Sequence, residues 1–158
     1  MKKTTRFLTT AAIIAAMYVA LTLAFQPISF WVVQFRVSEA LCVLPYFTPA
    51  AIPGVTIGCI IANIAGGAPI YDVIFGSLAT LIGAIGSYLL RKNKWLVPIP
   101  PIAANVIIIP QILKFAYKFD DSIPFMMLSV GIGEVLAIYV LGMLLLLALD
   151  KKKDKIFR

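Results

Sequence analysis

Glu134 stands inside the longest apolar run of the sequence, Phe125 to Leu149, directly after Gly131-Ile132-Gly133. An ionisable group at that depth in hydrocarbon costs a few kcal/mol, roughly 2.5–3.5 on insertion scales, so it points to function. The glycines leave room beside the carboxylate. Asn105 lies in the preceding apolar run, Leu96 to Leu113. Counted from Pro124 and Trp95, Glu134 and Asn105 are each ~15 Å along a helix at 1.5 Å per residue, so the two could face one another. Nearer the other side come Arg36, Glu39, Asn63, Asp72, Gln111 and Lys114. Carboxylates, amides and cations of this kind recognise a polar ligand by hydrogen bonds. They do not form a catalytic set, because the chain has no histidine and no nucleophile beside a base. Cys42 and Cys59 fall in apolar segments without metal-ligand spacing and read as packing residues, so no metal site is expected.

Simpler roles exist for several of these groups. Arg36 and Glu39, three apart, could form an ion pair within one helix. Lys114 and Lys118 could reach for the membrane surface, and Asp72 could stabilise a helix N-terminus. Phe30, Trp31 and Phe35 fit an interfacial aromatic belt, or a stacking face for a flat ligand over a polar cavity.

The elements that must position these groups follow from composition. Of 158 residues, 61% are apolar and 13% charged, with a mean hydropathy of +0.99. Soluble domains carry about 25% charged residues, so a water-soluble globule is effectively excluded. The net charge of +7 comes from 14 basic and 7 acidic residues. Eleven of the basic ones lie in three clusters, Lys2 to Arg6, Arg91 to Lys94 and Lys151 to Arg158, with long apolar stretches between them. Basic loops stay in the cytoplasm, so an even number of crossings must separate each pair of clusters.

The spacing predicts spans at Phe7 to Leu23, Val73 to Leu90, Leu96 to Leu113 and Phe125 to Leu149. Residues 1 to 25 read as a first span rather than a signal peptide, because more membrane sequence follows. Between the first two spans, Pro45, Pro49 and Pro53 break the apolar region into two short helices, Ser38 to Thr48 and Ala51 to Ile64. The first is ~16 Å long as an α-helix, short of ~30 Å of hydrocarbon, so a re-entrant hairpin satisfies the same parity. The expectation is an all-α integral membrane protein, a compact bundle of six transmembrane helices in one domain over residues 1–158, with both termini cytoplasmic. Its polar groups then gather in a cavity open to the outside and closed within.

Small-residue stripes mark close helix contacts. Ala12, Ala16 and Ala20 recur every four residues on the first span, with Ala11 and Ala15 alongside. Gly54, Gly58 and Ala62, and then Gly76, Thr80 and Ala84, are assigned to packing inside the bundle.

The alanine-striped first helix, the segment Gln34-Phe35-Arg36-Val37-Ser38-Glu39-Ala40-Leu41, the Leu44-Pro45 break and the six-span layout resemble the QueT family over nearly the whole chain. These are substrate-binding S-components of energy-coupling factor (ECF) transporters, multi-pass proteins of the bacterial cell membrane associated with queuosine precursors. The resemblance implies a subunit with no cofactor or ATPase of its own, in keeping with a sequence that lacks a phosphate-binding loop ending in Lys-Ser/Thr. It implies capture of a 7-deazaguanine such as preQ1, preQ0 or queuine outside the cell. It also implies docking, through an Ala-x-x-x-Ala face, onto a coupling membrane subunit served by two ATPases that hydrolyse ATP. Ala12, Ala16 and Ala20, or Ala11 and Ala15, match that motif. Chemistry then suggests Glu134 or Glu39 for the guanine-like edge, Asn63 or Asn105 for its carbonyl, Trp31 for stacking and Asp72 for an ammonium.

Two other readings stay open. One is an S-component for another vitamin or base. The other is a stand-alone proton-coupled transporter with Glu134 as relay, against which the apolar inner half counts.

Overall fold

A computed structural model describes residues 3–26 and 35–153. Among the described residues all regular structure is helical. In chain order the elements are α1, Lys3–Ala24; α2, Val37–Tyr46; α3, Ala51–Ala65; α4, Asp72–Leu89; α5, Ile99–Phe115; and α6, Ile123–Asp150. Three of them, α1, α4 and α6, are long and apolar enough to cross a membrane by length and composition. The others are apolar but shorter.

The expected α-helix at Ser38 to Thr48 is instead a 3-10 helix, α2. At ~2.0 Å per residue its ten residues reach ~20 Å rather than ~16 Å. A 3-10 run of this length is uncommon because its hydrogen bonds are poorly aligned. Here tertiary packing holds it: every residue from Ser38 to Pro45 is buried, and α2 touches α1, α3, α4 and α6. It is the axis of the bundle.

Two further irregularities sit on the long helices. The first turn of α4, Asp72–Gly76, is π-helical, and so is the middle of α6, Val135–Gly142. Single π-turns inside helices occur mostly at functional sites, and each of these adjoins a buried acid, Asp72 or Glu134. Prolines open α5 and α6, where a missing N–H leaves no bond unmade.

Gly54 and Gly58 bring α3 against α1 at backbone distance. A Cβ on Gly54 would lie 2.9 Å from Ile14 Cβ, and one on Gly58 would lie 2.7 Å from Tyr18 Cβ and 3.0 Å from the Ala15 carbonyl oxygen. The second stripe is internal as well, with Gly76, Thr80 and Ala84 all buried.

Polarity is inside out relative to a soluble bundle. Ile57, Ile61 and Ile64 of α3, Ile107 of α5 and Leu128, Ile132 and Leu136 of α6 are exposed. Arg36, Glu39, Asn63, Asp72, Asn105 and Glu134 are buried. Helices with apolar outer faces and polar interiors suit a lipid surround.

Candidate functional site

The six buried polar residues come from five different helices or their first turns and converge near one end of the bundle. That end carries the 66–71 and 116–122 turns. Asp72 opens α4, Asn63 closes α3, Arg36 precedes α2 and Glu39 sits in its first turn. Asn105 and Glu134 reach in from deeper on α5 and α6.

Asp72 is the most heavily connected. Its Oδ2 accepts from Arg36 Nη2 at 3.1 Å and from the Tyr117 hydroxyl at 3.1 Å. Its own carbonyl oxygen accepts from Asn63 Nδ2 at 3.3 Å. Asp72 therefore ties the start of α2 and the turn after α5, through its carboxylate, and the end of α3, through its backbone carbonyl, to the start of α4. Burial, reinforced by the Asp72 carboxylate, holds the Tyr117 hydroxyl well above its ordinary pKa, so it remains a donor.

Glu39 is held on both oxygens. Tyr18 of α1 donates a hydrogen bond to Oε1, and the Cys42 thiol donates to Oε2 at 3.0 Å. The second contact follows from the helix type, since side chains three apart eclipse in a 3-10 helix. Beside it, Thr80 Oγ1 donates to the Gly76 carbonyl at 3.1 Å and contacts Cys59 Sγ at 3.4 Å. Deeper in, Asn105 and Glu134 line the same narrow space, as their facing positions predict.

Arg36, Glu39, Gly76, Thr80, Asn105, Ile109 and Glu134 surround a narrow space of about 190 Å³ that leaves no room for a water molecule as it stands, so a ligand would enter it only by moving these side chains. Glu134 Oε2 on its wall accepts nothing among the described residues, and neither do Asn63 Oδ1 and Asp72 Oδ1 in the surrounding polar cluster. An unpaired buried polar atom costs ~1–3 kcal/mol, and three of them together mark this cluster as the candidate site. A larger groove of about 900 Å³ beside Tyr71, Phe75 and Ile107 is open and almost wholly apolar. It offers bulk but little recognition.

A transmembrane helical bundle with a polar, hydrogen-bond-hungry interior fits a carrier, and comparison with known proteins specifies which kind. The profile of the QueT transporter family matches residues 8–151. The chain belongs to the QueT family. That is a family of transporters, not of enzymes. A relative in Lactococcus lactis subsp. cremoris (strain MG1363), "Queuosine precursor transporter QueT", is 44% identical over 85 residues, covering 52% of this chain and 50% of the relative. The match spans about half the length of that curated relative. No solved structure matches the chain.

Within this QueT-family bundle, six of the seven residues singled out as ligand contacts lie together. The seventh, Trp31, falls outside the described residues, as does Phe30. Two other polar groups expected over the cavity lie elsewhere. Gln111 is exposed and lines the apolar groove, and Lys114 reaches the Asp120 and Asp121 carbonyls at 3.3 and 3.2 Å. Arg36 pairs with Asp72 across helices, a contact that the three-residue spacing to Glu39 did not suggest.

The alanines of α1 separate as well. Ala11 and Ala15 are buried against α3, while Ala12, Ala16 and Ala20 are exposed. Ala11 and Ala15 are therefore taken up by internal packing in this structure, whereas the Ala12-Ala16-Ala20 face packs against nothing among the described residues.

Sequence reasoning missed Tyr18, Tyr117, Cys42 and Gly76. A hydroxyl in mid-span three residues from Ala15 was a usable signal for Tyr18. Tyr117 gave none, because it lies beyond the helix in a turn whose course only the fold determines.

Proposed function

We propose that this chain is the substrate-capturing membrane subunit of an ECF-type importer. It binds a queuosine precursor, a 7-deazaguanine such as preQ1, preQ0 or queuine, from outside the cell, and relies on partner ATPases for uptake. In this reading the six helical segments are six crossings or near-crossings of the bacterial cell membrane, with both termini cytoplasmic and the polar chamber toward the outside. The chain forms one domain, binds no cofactor and docks through Ala12, Ala16 and Ala20 onto a coupling subunit served by two ATPases.

The observation that carries this reading is the buried polar cluster with three unpartnered acceptors inside a member of a transporter family. A guanine-like edge presents N1–H and an amino group, donors that suit the open oxygen of Glu134, and its carbonyl suits the Asn105 amide. The chamber's position supports one-sided access. Its charged groups gather at one end, whereas the other end is packed by Val43, Val97, Ala137, Ile138, Met143 and Leu146. A proton-coupled relay through Glu134 would need polar groups there too.

The reading is tested by purifying the chain alone in detergent and titrating it with preQ1, preQ0 and queuine against thiamine and riboflavin. Submicromolar binding confined to the deazaguanines is expected. Tight thiamine or riboflavin binding would reassign the substrate, and no binding of any deazaguanine would remove the proposal. Glu134→Gln keeps the fold and lowers deazaguanine affinity by ~10-fold or more, the effect of losing a charged hydrogen bond.

A further inference from the structure

We propose that the turn between α4 and α5, residues 90–98, is a receptor for the phosphate of an anionic phospholipid in the leaflet it meets, the cytoplasmic one in the topology proposed above. This lies outside the capture reading and holds whatever substrate the chain carries.

Charge comes first. Arg91, Lys92 and Lys94 place three cations within four residues, and the nearest acidic residues along the chain are Asp72 and Asp120. Among the described residues none of the three is in an ion pair. The basic group at the end of α6 differs, since Asp150 pairs with Lys153 at 3.5 Å. The α4–α5 turn therefore carries charge that nothing among the described residues offsets, and an anion is its complement.

The cations stand on a fixed frame. Gly83 and Gly86 of α4 seat the prolines that open α5: a Cβ on Gly83 would lie 2.5 Å from Pro101 Cα, and one on Gly86 would lie 2.4 Å from Pro100 Cβ. Below the turn, Ser87 Oγ donates to the Val97 carbonyl at 2.7 Å. Within it, Asn93 Oδ1 accepts from the Trp95 N–H at 3.1 Å, and the Leu90 and Asn93 carbonyls accept from the Asn93 and Leu96 N–H groups at 3.0 Å each. Arg91 is held over the Tyr88 ring, its Cζ 4.1 Å from the ring centre, and Lys94 Nζ lies 5.9 Å from the ring centre of Trp95. A guanidinium so placed keeps a planar fork of donors that matches a phosphate bidentately. A frame ordered before binding lowers the entropy cost of holding the headgroup.

The neighbours of the cations decide which anion. Leu89, Leu90, Trp95, Leu96 and Ile99 are exposed in the turn and on the helix ends beside it. A phospholipid joins its phosphate to acyl chains, so one molecule meets both the cations and these apolar side chains, with the indole at headgroup level. Free phosphate would meet the cations alone. An acidic protein surface would do the same and leave the leucines uncovered.

Native mass spectrometry of the purified full chain, titrated with phosphatidylglycerol and with phosphatidylcholine of the same acyl chains, tests this. Phosphatidylglycerol is expected to bind ~10-fold or more tightly, the scale set by three basic residues at an anionic headgroup. Arg91→Gln, Lys92→Gln and Lys94→Gln together should bring the two lipids to equal affinity, whereas Lys151→Gln with Lys152→Gln should leave the preference standing. Arg91→Lys keeps the charge and loses the fork, and should lower the preference several-fold. Equal affinities in the unaltered chain, or an undiminished preference in the triple variant or in Arg91→Lys, would overturn the receptor. A loss as large in the Lys151→Gln, Lys152→Gln chain would show general charge attraction and overturn it too. So would displacement of the lipid by millimolar inorganic phosphate, which would make the occupant a free anion. Loss of uptake by cells in the triple variant with the lipid preference intact would assign the patch to a partner subunit instead.

Discussion

The seam between α1 and α3 and the chamber among α2, α4, α5 and α6 are both buried, and both depend on glycine, but they use it differently. At the seam, Gly54 and Gly58 let backbone meet side chain with nothing left over, and the contact surface is Ala11, Ile14, Ala15 and Tyr18. At the chamber, Gly76 packs close beside Asp72 Oδ1, a buried oxygen that accepts no hydrogen bond among the described residues. Small residues allow close contact in both regions, with apolar groups at the seam and with an unpaired carboxylate oxygen at the chamber. A seam of this kind is satisfied without a ligand and supplies rigidity. The chamber carries unpaired acceptors and is completed only when donors arrive. Tyr18 joins the two, because its Cβ packs on Gly58 while its hydroxyl ends on Glu39.

The contrast breaks most visibly at Arg36. In Arg36→Met the Asp72 carboxylate keeps its burial and loses its cation, a change that costs ~3–5 kcal/mol when one partner of a buried pair is removed. A large fall in the thermal unfolding midpoint in detergent is expected, together with loss of ligand binding. An unchanged midpoint would mean that the chamber does not help hold α2 and α4 together. At the seam, Gly58→Val should cost ~1–3 kcal/mol by overpacking against Tyr18 and Ala15. Its folded fraction should bind several-fold more weakly, since Tyr18 must shift and takes its hydrogen bond to Glu39 with it. Full affinity in that variant would separate the two regions completely.

The sequence and the fold agree best where the physics is local or one-sided. Polar residues in apolar runs have few places to go, so Asn105 opposite Glu134 was legible from depth alone, as was the gathering of Glu39, Asn63 and Asp72 at one end. Glycine at four-residue spacing likewise foretold that α3 packs closely inside the bundle, though not that Ala11 and Ala15 of α1 are what it packs against. What was not legible depends on helix geometry finer than hydrophobic period. The 3-10 winding of α2 places Cys42 under Glu39, and the π-turn at Asp72–Gly76 rotates Asp72 toward Arg36 and Tyr117. Neither winding has a pattern of residue types that separates it from an α-helix. Lys114 and Gln111 were misplaced for a related reason: depth locates a residue along a helix but not around it.

A smaller effect separates ligand contact from scaffolding within the chamber. Tyr117→Phe removes one of two donors to Asp72 Oδ2 and leaves Arg36 in place. The loss should be ~0.5–1.5 kcal/mol, the net worth of one hydrogen bond. Because the hydroxyl stays protonated, the difference between variant and parent should be flat from pH 6 to pH 9. A difference that grows with pH in this range would show that Tyr117 ionises and that its role is electrostatic.

The least disturbing change to the fold tests a third kind of small-residue surface. Ala12, Ala16 and Ala20 share the pattern of the seam but are exposed. A large side chain there meets no neighbour within the chain, so Ala16→Leu should leave stability within ~0.5 kcal/mol, as surface substitutions usually do. Deazaguanine affinity should be unchanged, because α1 meets the chamber through Tyr18, on its other side. If the face is where a coupling subunit approaches to backbone distance, leucine holds the two helices apart and uptake by cells falls to background while binding persists. Retained uptake in Ala16→Leu would assign the stripe to lipid. It would also leave α1 with one role, to brace α3 and carry Tyr18 to Glu39.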